Sequence, residues 1–227
     1  MEGYYGEKLA GERLRQCYEV APPRVRRYLE AEIQFVLDRL ESTDAVLELG
    51  CGYGRVAVRL AEIAQRVVGI DTSCESLDLA RRIAGPGSRC EFLEMNALDL
   101  AFPVGEFDAV VCVQNGVCAF GVDQAALIRE ALRVTRPNGR LLFSTYSKAF
   151  WPHRLAWFEA QAEAGLVGEI DYDATGDGVI VCKDGFRVDT LAPQALQSLC
   201  ASLGLSGRIT EVDGSSVFCE VMVPETA

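Results

Sequence analysis

The chain lacks the clustered metal ligands and the long apolar runs on which metalloproteins and membrane-spanning proteins depend. It contains a single histidine, His153, and none of its nine cysteines forms a Cys-x-x-Cys pair. Metal centres draw on clustered cysteine, histidine and carboxylate ligands, so no metal site is expected. No uninterrupted apolar run approaches the roughly 20 residues that a membrane-spanning helix requires. The sequence therefore predicts neither a metal centre nor a membrane span.

The chain also has little positive charge. Lysine and arginine together number 22, against 33 aspartates and glutamates, which gives a net charge of −11. Proteins that bind nucleic acid usually present basic surfaces to its phosphates. Nucleic acid is therefore not an expected partner, whereas a small-molecule ligand is compatible with this charge.

The sequence also bears on the compartment and on the state of the thiols. Its first fifteen residues carry Glu2, Glu7, Lys8 and Glu12, which argues against a secretory signal peptide. An odd number of cysteines, several of them inside apolar segments, is typical of free buried thiols. We expect a cytoplasmic protein that is either a monomer or a homodimer.

What the chain does contain is a regular alternation of apolar strands and amphipathic helices. Strands are expected at 45–49, 67–70, 90–94, 107–113 and 140–145, and helices at 54–64, 75–84 and 123–135. Strands separated by helices favour right-handed crossovers and a parallel sheet. The predicted fold class is α/β, with a Rossmann-like doubly wound sheet.

We expect one domain over 1–227, in which further segments surround this core. The segments are an N-terminal lid and helix at 1–42, the core at 43–145, a cap insertion at 146–190, and a C-terminal helix with an edge hairpin at 191–227. Within the cap, Lys183-Asp184-Gly185 predicts a hairpin turn. Arg136-Pro137-Asn138-Gly139 predicts a tight turn ahead of the fifth strand.

The most specific signal is a glycine-rich turn. Residues 46–54 read Val-Leu-Glu-Leu-Gly-Cys-Gly-Tyr-Gly, and a second strand ends in Asp71. A strand, a glycine-rich turn, a helix and a second strand ending in a carboxylate indicate a nucleoside-binding half-site. A dinucleotide fingerprint needs its third glycine where Arg55 stands, and Glu48 would repel phosphates. An adenosine ligand without phosphate and with a positive centre, such as S-adenosylmethionine, is favoured over NAD.

Five landmarks in this order resemble those of the class I S-adenosylmethionine-dependent methyltransferases. They are Glu48-Leu-Gly50-Cys-Gly52-Tyr-Gly54, Asp71, Asn96-Ala97-Leu-Asp99, Phe107-Asp108 leading to Gln114-Asn115, and Pro137-Asn-Gly139-Arg. The resemblance covers 45–145 well and 193–223 in outline. It implies a seven-stranded sheet in the order 3-2-1-4-5-7-6, with the seventh strand antiparallel.

The glycine-rich turn is expected to bind the cofactor through bare backbone. Gly50 and Gly52, with Cys51 between them, let the backbone approach the methionine and ribose portions. Gly54 permits close packing where the following helix starts. Glu48 either anchors the loop or a water near the ligand's ammonium group, or serves only to satisfy backbone N–H groups at the strand end.

Acidic and amide side chains are expected around the adenosine. Asp71 offers two acceptor oxygens to the ribose hydroxyls, and its alternative role is to cap the next helix. Thr72 would then lie beside the adenine. Asn96, next to Ala97, is able to accept from the adenine amino group, or it forms an Asx turn.

Polar residues after the fourth and fifth strands are candidates for the reaction site. Gln114 and Asn115 lie at the ligand side of an open α/β sheet, where they hold the methionine tail, line the substrate floor or simply form a turn. An imidazole is suited to proton transfer near neutral pH, and His153 is the candidate general base. Its alternative role is an ordinary hydrogen bond at a helix start.

Aromatic residues of the lid and cap are expected to bind the methyl acceptor, because their faces attract a cationic centre. The candidates for this role are Tyr4, Tyr5, Tyr18, Tyr146 and Trp151. The leading hypothesis is a methyltransferase that acts on a small molecule. The alternative is a non-catalytic nucleoside-binding or regulatory protein with the same fold.

Overall fold

The computed structural model of the protein describes residue 4 and residues 8–225. Its centre is a seven-stranded sheet in the order β3-β2-β1-β4-β5-β9-β8. The strands are β1 (Ala45–Leu49), β2 (Arg66–Asp71), β3 (Cys90–Glu94), β4 (Phe107–Cys112), β5 (Thr135–Tyr146), β8 (Gly207–Val212) and β9 (Ser216–Met222). The first five strands pair in parallel, and β9 runs antiparallel to both β5 and β8. The predicted fold class and strand order are confirmed.

Eight helices among the described residues surround the sheet. They are α1 (Gly11–Glu19), α2 (Pro23–Leu37), α3 (Arg55–Leu60), α4 (Cys74–Ala84), α5 (Gly116–Ala119), α6 (Gln124–Val134), α7 (Trp151–Glu163) and α8 (Pro193–Ser202). Pro23 occupies the first position of α2, where its missing N–H costs no hydrogen bond. The side chains of Ser73 and Asp123 cap α4 and α6 by accepting from the N–H groups of Ser76 and Ala126.

The sheet is covered by apolar side chains on both faces, because successive residues of a strand point to opposite sides. Leu47 and Val110 pack on one face with residues of α6 and α8. Val46 and Val111 pack on the other face with residues of α2, α3 and α4. Strands buried on both faces explain the near-continuous apolar runs in the sequence.

The segment 136–139 differs from its prediction. It lies inside β5 rather than ahead of it, between the pairs Phe107–Thr135 and Ala109–Arg140, where the strand register shifts. Asn138 takes the left-handed conformation with φ 63°. The turn-forming residues therefore make a bulge within a strand, because the pairing of β5 with β4 resumes on both sides of them.

The cap following β5 is built from α7 and the short hairpin of β6 (Ile180–Val181) and β7 (Arg187–Val188). The hairpin prediction around Lys183-Asp184-Gly185 is confirmed. The cap packs against α1, because the indole Nε1 of Trp157 donates to the Cys17 carbonyl at 2.7 Å. Arg13 also reaches the Leu166 carbonyl, with its Nη2 at 2.9 Å. None of the described helices is both long and apolar enough to cross a membrane.

Candidate active site

The glycine-rich loop after β1 is held in a conformation that side chains rarely adopt. Gly50, Gly52 and Gly54 have φ angles of 69°, 51° and 81°. Between them, the Cys51 N–H donates to the Ile70 carbonyl at 2.9 Å, which ties the loop to β2. A Cβ at Gly54 would stand 2.9 Å from the Ala80 Cβ. The loop therefore exposes backbone on one side and packs against α4 on the other.

Asp71 joins this loop to the start of α4. Its Oδ2 accepts from the Gly52 N–H and its Oδ1 accepts from the Ser73 N–H, both at 2.9 Å. Burial raises the pKa of Asp71 above its ordinary value, while these backbone N–H groups act in the opposite direction. Each carboxylate oxygen has further acceptor capacity for a second donor. Part of the capping role considered for Asp71 is thus present, and each oxygen retains a lone pair for a further donor.

Glu48 and Arg55 bring opposite charges to the base of the loop. Burial raises the pKa of Glu48 to about 8, and the Arg55 charge counteracts this shift. The Glu48 Oε2 and the Arg55 Nη2 are both buried without a hydrogen-bond partner. An unpaired buried polar atom is costly, so this pair suits a ligand that carries both an ammonium and a carboxylate group.

The turn after β4 is strained. Gln114 and Asn115 are consecutive non-glycine residues with φ of 55° and 63°. The Asn115 side chain is used within the protein: it accepts from the Thr145 hydroxyl and donates to the Asp189 carbonyl, each at 2.8 Å. Such strain persists where the surrounding structure holds it, and it is frequent at functional sites. Asn115 therefore fixes the turn that presents Gln114.

Two clefts meet at Gln114. The first cleft, of about 50 Å³, is lined by Leu14, Tyr18, Glu48, Gly50, Cys51, Gly52, Tyr53, Arg55, Val56, Val113 and Gln114. The second cleft, also of about 50 Å³, is lined by Leu9, Leu14, Cys17, Tyr18, Gln114, Tyr146, Trp157, Phe158 and Gln161. Both volumes lie below the range of ligand pockets in proteins. Leu14, Tyr18 and Gln114 belong to both walls, and the Tyr18 hydroxyl donates to the Gln114 Oε1 at 2.7 Å.

Helix α1 covers the first cleft as a lid. The Leu14 side chain lies over Gly52, since a Cβ there would stand 2.9 Å from the Leu14 Cδ2. The Gly11 N–H donates to the Ser76 hydroxyl at 2.9 Å, which ties the start of α1 to α4. The lid therefore spans the glycine-rich loop and the helix that Asp71 helps to cap.

A buried carboxylate that sequence reasoning missed stands behind Gln114. Glu32 of α2 is fully buried, and its Oε2 accepts from the Gln114 N–H at 3.2 Å. Burial raises the pKa of Glu32 to about 7. The signal was present in the sequence, because Glu32 falls four residues from both Tyr28 and Val36 on the apolar face of α2.

The residues proposed for the adenine side of the site follow the carboxyl ends of β2 and β3. The Asn96 Oδ1 accepts from the Leu98 N–H at 2.9 Å, which is the Asx turn, and Asn96 and Thr72 are exposed. Ala97, next to Asn96, is half-buried and packs against the apolar core on the face of the sheet that α6 and α8 cover. Neither described cleft is lined by any of these three residues.

Some of the aromatic candidates line the clefts, whereas the others and the histidine do not. Tyr18 and Tyr146 line the clefts, whereas Tyr4 hydrogen-bonds Asp184 and Trp151 packs against the cap core. His153 is exposed, with its ring centroid 5.6 Å from that of Phe150, and it lines neither described cleft. The reason is that His153 faces away from the cap core, next to the buried Arg154. Tyr5 lies outside the described residues.

The cleft walls also contain residues that were not predicted. Leu14 and Gln161 line the clefts, and they come from helices whose packing the sequence does not determine. Among the described residues, no group of three histidine, cysteine or carboxylate side chains is placed to hold a metal ion.

Residues 46–139 match a family model described as a methyltransferase domain. The chain is 31% identical over 136 residues to 2-methyl-6-phytyl-1,4-hydroquinone methyltransferase of Synechocystis, an alignment that spans 56% of the chain and 42% of that protein. It is 31% identical over 138 residues to ubiquinone biosynthesis O-methyltransferase of Xanthomonas oryzae, over 60% of the chain and 57% of that protein. The chain thus spans about half the length of the curated relatives it matches.

The fold has close structural neighbours. Magnesium protoporphyrin IX methyltransferase of Synechocystis, solved with bound S-adenosylhomocysteine, superposes with a TM-score of 0.65 at 17% identity, over 97% of both chains. At this level of identity the likeness shows the fold of the chain.

Proposed function

We propose that the protein is an S-adenosylmethionine-dependent methyltransferase that acts on a small-molecule acceptor. The observation that carries the proposal is the glycine-rich loop tied to Asp71, beside a cleft whose buried Glu48 and Arg55 atoms lack partners. Both side chains line the first cleft. An adenosine that bears an amino-acid tail matches both features.

The residues of this chain would hold such a cofactor through two kinds of contact. Asp71 would accept from the ribose hydroxyls, and the bare backbone of Gly50 and Gly52 would border the ligand. Glu48 would pair with the ammonium group and Arg55 with the carboxylate of the methionine tail. We retain Cys51 and Gly54 as parts of the same loop, and Thr72, Asn96 and Ala97 as the adenine side of the site.

The acceptor is proposed to bind in the second cleft. Its wall combines aromatic side chains, Tyr18, Tyr146 and Trp157, with the amides of Gln114 and Gln161. Such a surface suits a ring-bearing molecule with one or two polar groups. The curated relatives are named for a hydroquinone and for ubiquinone biosynthesis, which supports a ring-bearing acceptor.

The chemistry of the transfer comes from the bound cofactor, which supplies an activated methyl group. The protein has to align the acceptor with that methyl group and to exclude water. Leu14 and Tyr18 would exclude water from above the first cleft, and Gln114 would orient both ligands from the shared wall. Nine free cysteines support the expectation of a reducing cytoplasm.

Two measurements test the proposal. Isothermal titration should detect binding of S-adenosylmethionine and S-adenosylhomocysteine, and absence of binding by both would overturn it. Transfer of a radiolabelled methyl group should then be assayed over a panel of phenols, hydroquinones, amines and thiols. Binding without transfer to any of them would favour the non-catalytic alternative.

A further inference from the structure

A fully buried arginine of the cap is not paired with any carboxylate of the described residues. Arg154 of α7 is 1% exposed, and it takes part in none of the ion pairs that those residues form. Its Nη1 donates to the Gly178 carbonyl at 2.6 Å and its Nη2 to the Val188 carbonyl at 3.5 Å, whereas its Nε is buried without a hydrogen bond. Buried charges in proteins are normally paired with an opposite charge, which these carbonyl groups do not supply.

The guanidinium of Arg154 stands next to the wall of the second cleft. The buried side chains of α7 are those of Arg154, Trp157, Phe158 and Gln161, and the last three line this cleft. Residues three or four apart lie on one face of a helix, so Arg154 extends the face that forms the wall. Its guanidinium carbon lies 4.4 Å from the ring centroid of Tyr146, which also lines the cleft, and 5.8 Å from that of Phe158.

No charged side chain lines the second cleft itself. All nine lining residues are apolar, aromatic, amide or thiol side chains. Among them, Gln114 has a buried Nε2 donor that makes no hydrogen bond. Burial raises the pKa of the Tyr146 phenol, and of the two charges that act on it, that of Arg154 has a larger effect than that of Glu32. The second cleft therefore offers a ligand a nearby positive charge and a free N–H donor, although the whole protein carries a net charge of −11.

We propose that Arg154 makes the second cleft selective for a methyl acceptor that carries a carboxylate. The inference rests on the proposed function, since that function assigns the acceptor to this cleft. A carboxylate bound there would supply the opposite charge that Arg154 lacks, whereas an amine, which is cationic near neutral pH, would be repelled. Arg154 is a specificity-determining residue and not a catalytic one, because its charge acts from behind the wall.

The distance across the wall is short enough for this charge to matter. Two opposite unit charges about 8 Å apart, at an effective dielectric constant of about 20, attract each other enough to raise an affinity by on the order of tenfold or more. Salt screens a buried charge only weakly, so this attraction persists in solution. A single guanidinium also matches the single charge of a carboxylate, whereas a phosphate dianion would bring a second charge without a partner.

The test compares acceptor analogues that differ in charge and little in shape. The protein is saturated with S-adenosylhomocysteine, and benzoate, 4-hydroxybenzoate and 4-hydroxyphenylacetate are each titrated beside the corresponding amide, with dissociation constants measured by ligand-observed NMR. At least one carboxylate should bind about tenfold more tightly than its amide. If none does, or if phenyl phosphate binds more tightly than every carboxylate, the inference is wrong. Failure of S-adenosylhomocysteine to bind would instead overturn the proposed function, and the inference with it.

Three variants trace the preference to Arg154. In Arg154→Met, which removes the charge, the carboxylate and the amide should bind within about twofold of each other, whereas Arg154→Lys should retain part of the preference. Arg187→Met is the matched control, because Arg187 is an exposed arginine of the same cap and its loss changes the net charge equally. The control should keep the full preference. A role confined to holding the Gly178 and Val188 carbonyls predicts lower stability of Arg154→Met with an unchanged preference, and that result would overturn the inference.

A measurement on the unmutated protein covers the case in which the Arg154 variants do not fold. Salt screens exposed charges strongly and buried charges much less. The ratio of the two dissociation constants should therefore change by less than about twofold between about 0.05 M and about 0.5 M sodium chloride. A preference that disappears at the higher salt concentration would come from exposed charges, and it would overturn the role of Arg154.

Discussion

Both carboxylate oxygens of Asp71 accept from backbone N–H groups, one from Gly52 and one from Ser73. An asparagine at this position would retain only one acceptor oxygen, so Asp71→Asn should loosen the loop and remove a contact to the ribose. Loss of a hydrogen bond to a charged group costs about 1–3 kcal/mol. We expect the dissociation constant for S-adenosylhomocysteine to rise by about 10- to 100-fold in isothermal titration.

Asp78→Asn is the matched control for this change. Asp78 is an exposed carboxylate on α4, the helix that follows Asp71, and it pairs with Arg81. Its removal should leave the affinity within about twofold, because exposed pairs contribute little. Equal affinities in the Asp71 variant and the wild type would contradict the role of Asp71.

Alanine substitutions at Gly54 and Gly87 distinguish the cost of a strained backbone from the cost of crowding. Gly54 and Gly87 have nearly the same φ, 81° and 80°, but a Cβ at Gly54 meets Ala80 and Phe92 whereas one at Gly87 meets nothing within 4 Å. Both alanine variants bear the left-handed penalty of roughly 1–2 kcal/mol. Gly54→Ala should lose a further ~1–3 kcal/mol from overpacking. Urea unfolding should therefore show a clearly larger loss for Gly54→Ala, and equal losses would disprove the crowding.

Among individual residues, the sequence predicts those whose role depends on the local backbone conformation. Gly50, Gly52 and Asp71 follow from a local pattern of strand, turn and helix, and the structure brings them together. Glu32 could not be assigned in the same way, because its neighbour Gln114 is 82 residues away along the chain. His153 had suitable chemistry but is exposed, since only packing decides which face of α7 is buried.

Among the elements, α1 connects the two clefts to the cap. One of its links is the hydrogen bond from the Trp157 indole to the Cys17 carbonyl. Trp157→Phe should make local opening of α1 more frequent, because it removes one buried hydrogen bond. Loss of such a bond costs about 1 kcal/mol, which raises the equilibrium constant for local opening about fivefold. Hydrogen exchange of the amides at 11–19 should accelerate accordingly.

Trp151→Phe is the control for that experiment. Trp151 begins the same helix and is half-buried, and its ring packs against the cap core rather than lining either cleft. Exchange of the α1 amides should remain at the wild-type rate in this variant. Equal acceleration in both variants would mean that cap stability, and not the Trp157 hydrogen bond, controls the lid.

Element boundaries were predictable where one signal dominated. The strand at 45–49 agrees with the structure to the residue, because a buried apolar run defines it. The tight turn predicted at 136–139 is a bulge in the structure, since proline, asparagine and glycine suit a bulge as well as a turn. Only the pairing of β5 with β4 distinguishes the two, and pairing is a long-range property.

At the scale of the whole molecule, two buried acids shape the dependence of stability on pH. Burial raises the pKa of Glu32 to about 7 and that of Glu48 to about 8, each from an ordinary value of 4.5. Below the ordinary value both groups are protonated in the folded and unfolded chains alike. Above it the unfolded chain loses protons first, so the folded state binds more protons and its stability falls with rising pH.

The free energy of unfolding of the ligand-free protein should therefore fall, by on the order of a few kcal/mol, between about pH 5 and pH 8. Urea titrations across this range measure it. Glu32→Gln and Glu48→Gln should each flatten the slope, whereas Glu163→Gln, at an exposed position, should not. A wild-type stability that is constant over the range would show that these carboxyls are not buried in solution.

Leu14, Tyr18 and Gln114 line both clefts, so no further layer of protein separates the two chambers along this wall. A single synthetic compound that links an adenosine to an aromatic ring through a short tether would fill both chambers at once. Once one half of the compound is bound, the tether holds the other half at a high effective concentration. The linked compound should therefore bind more tightly than either half alone. Under the proposed function, the shared wall makes this protein a suitable target for bisubstrate inhibitors.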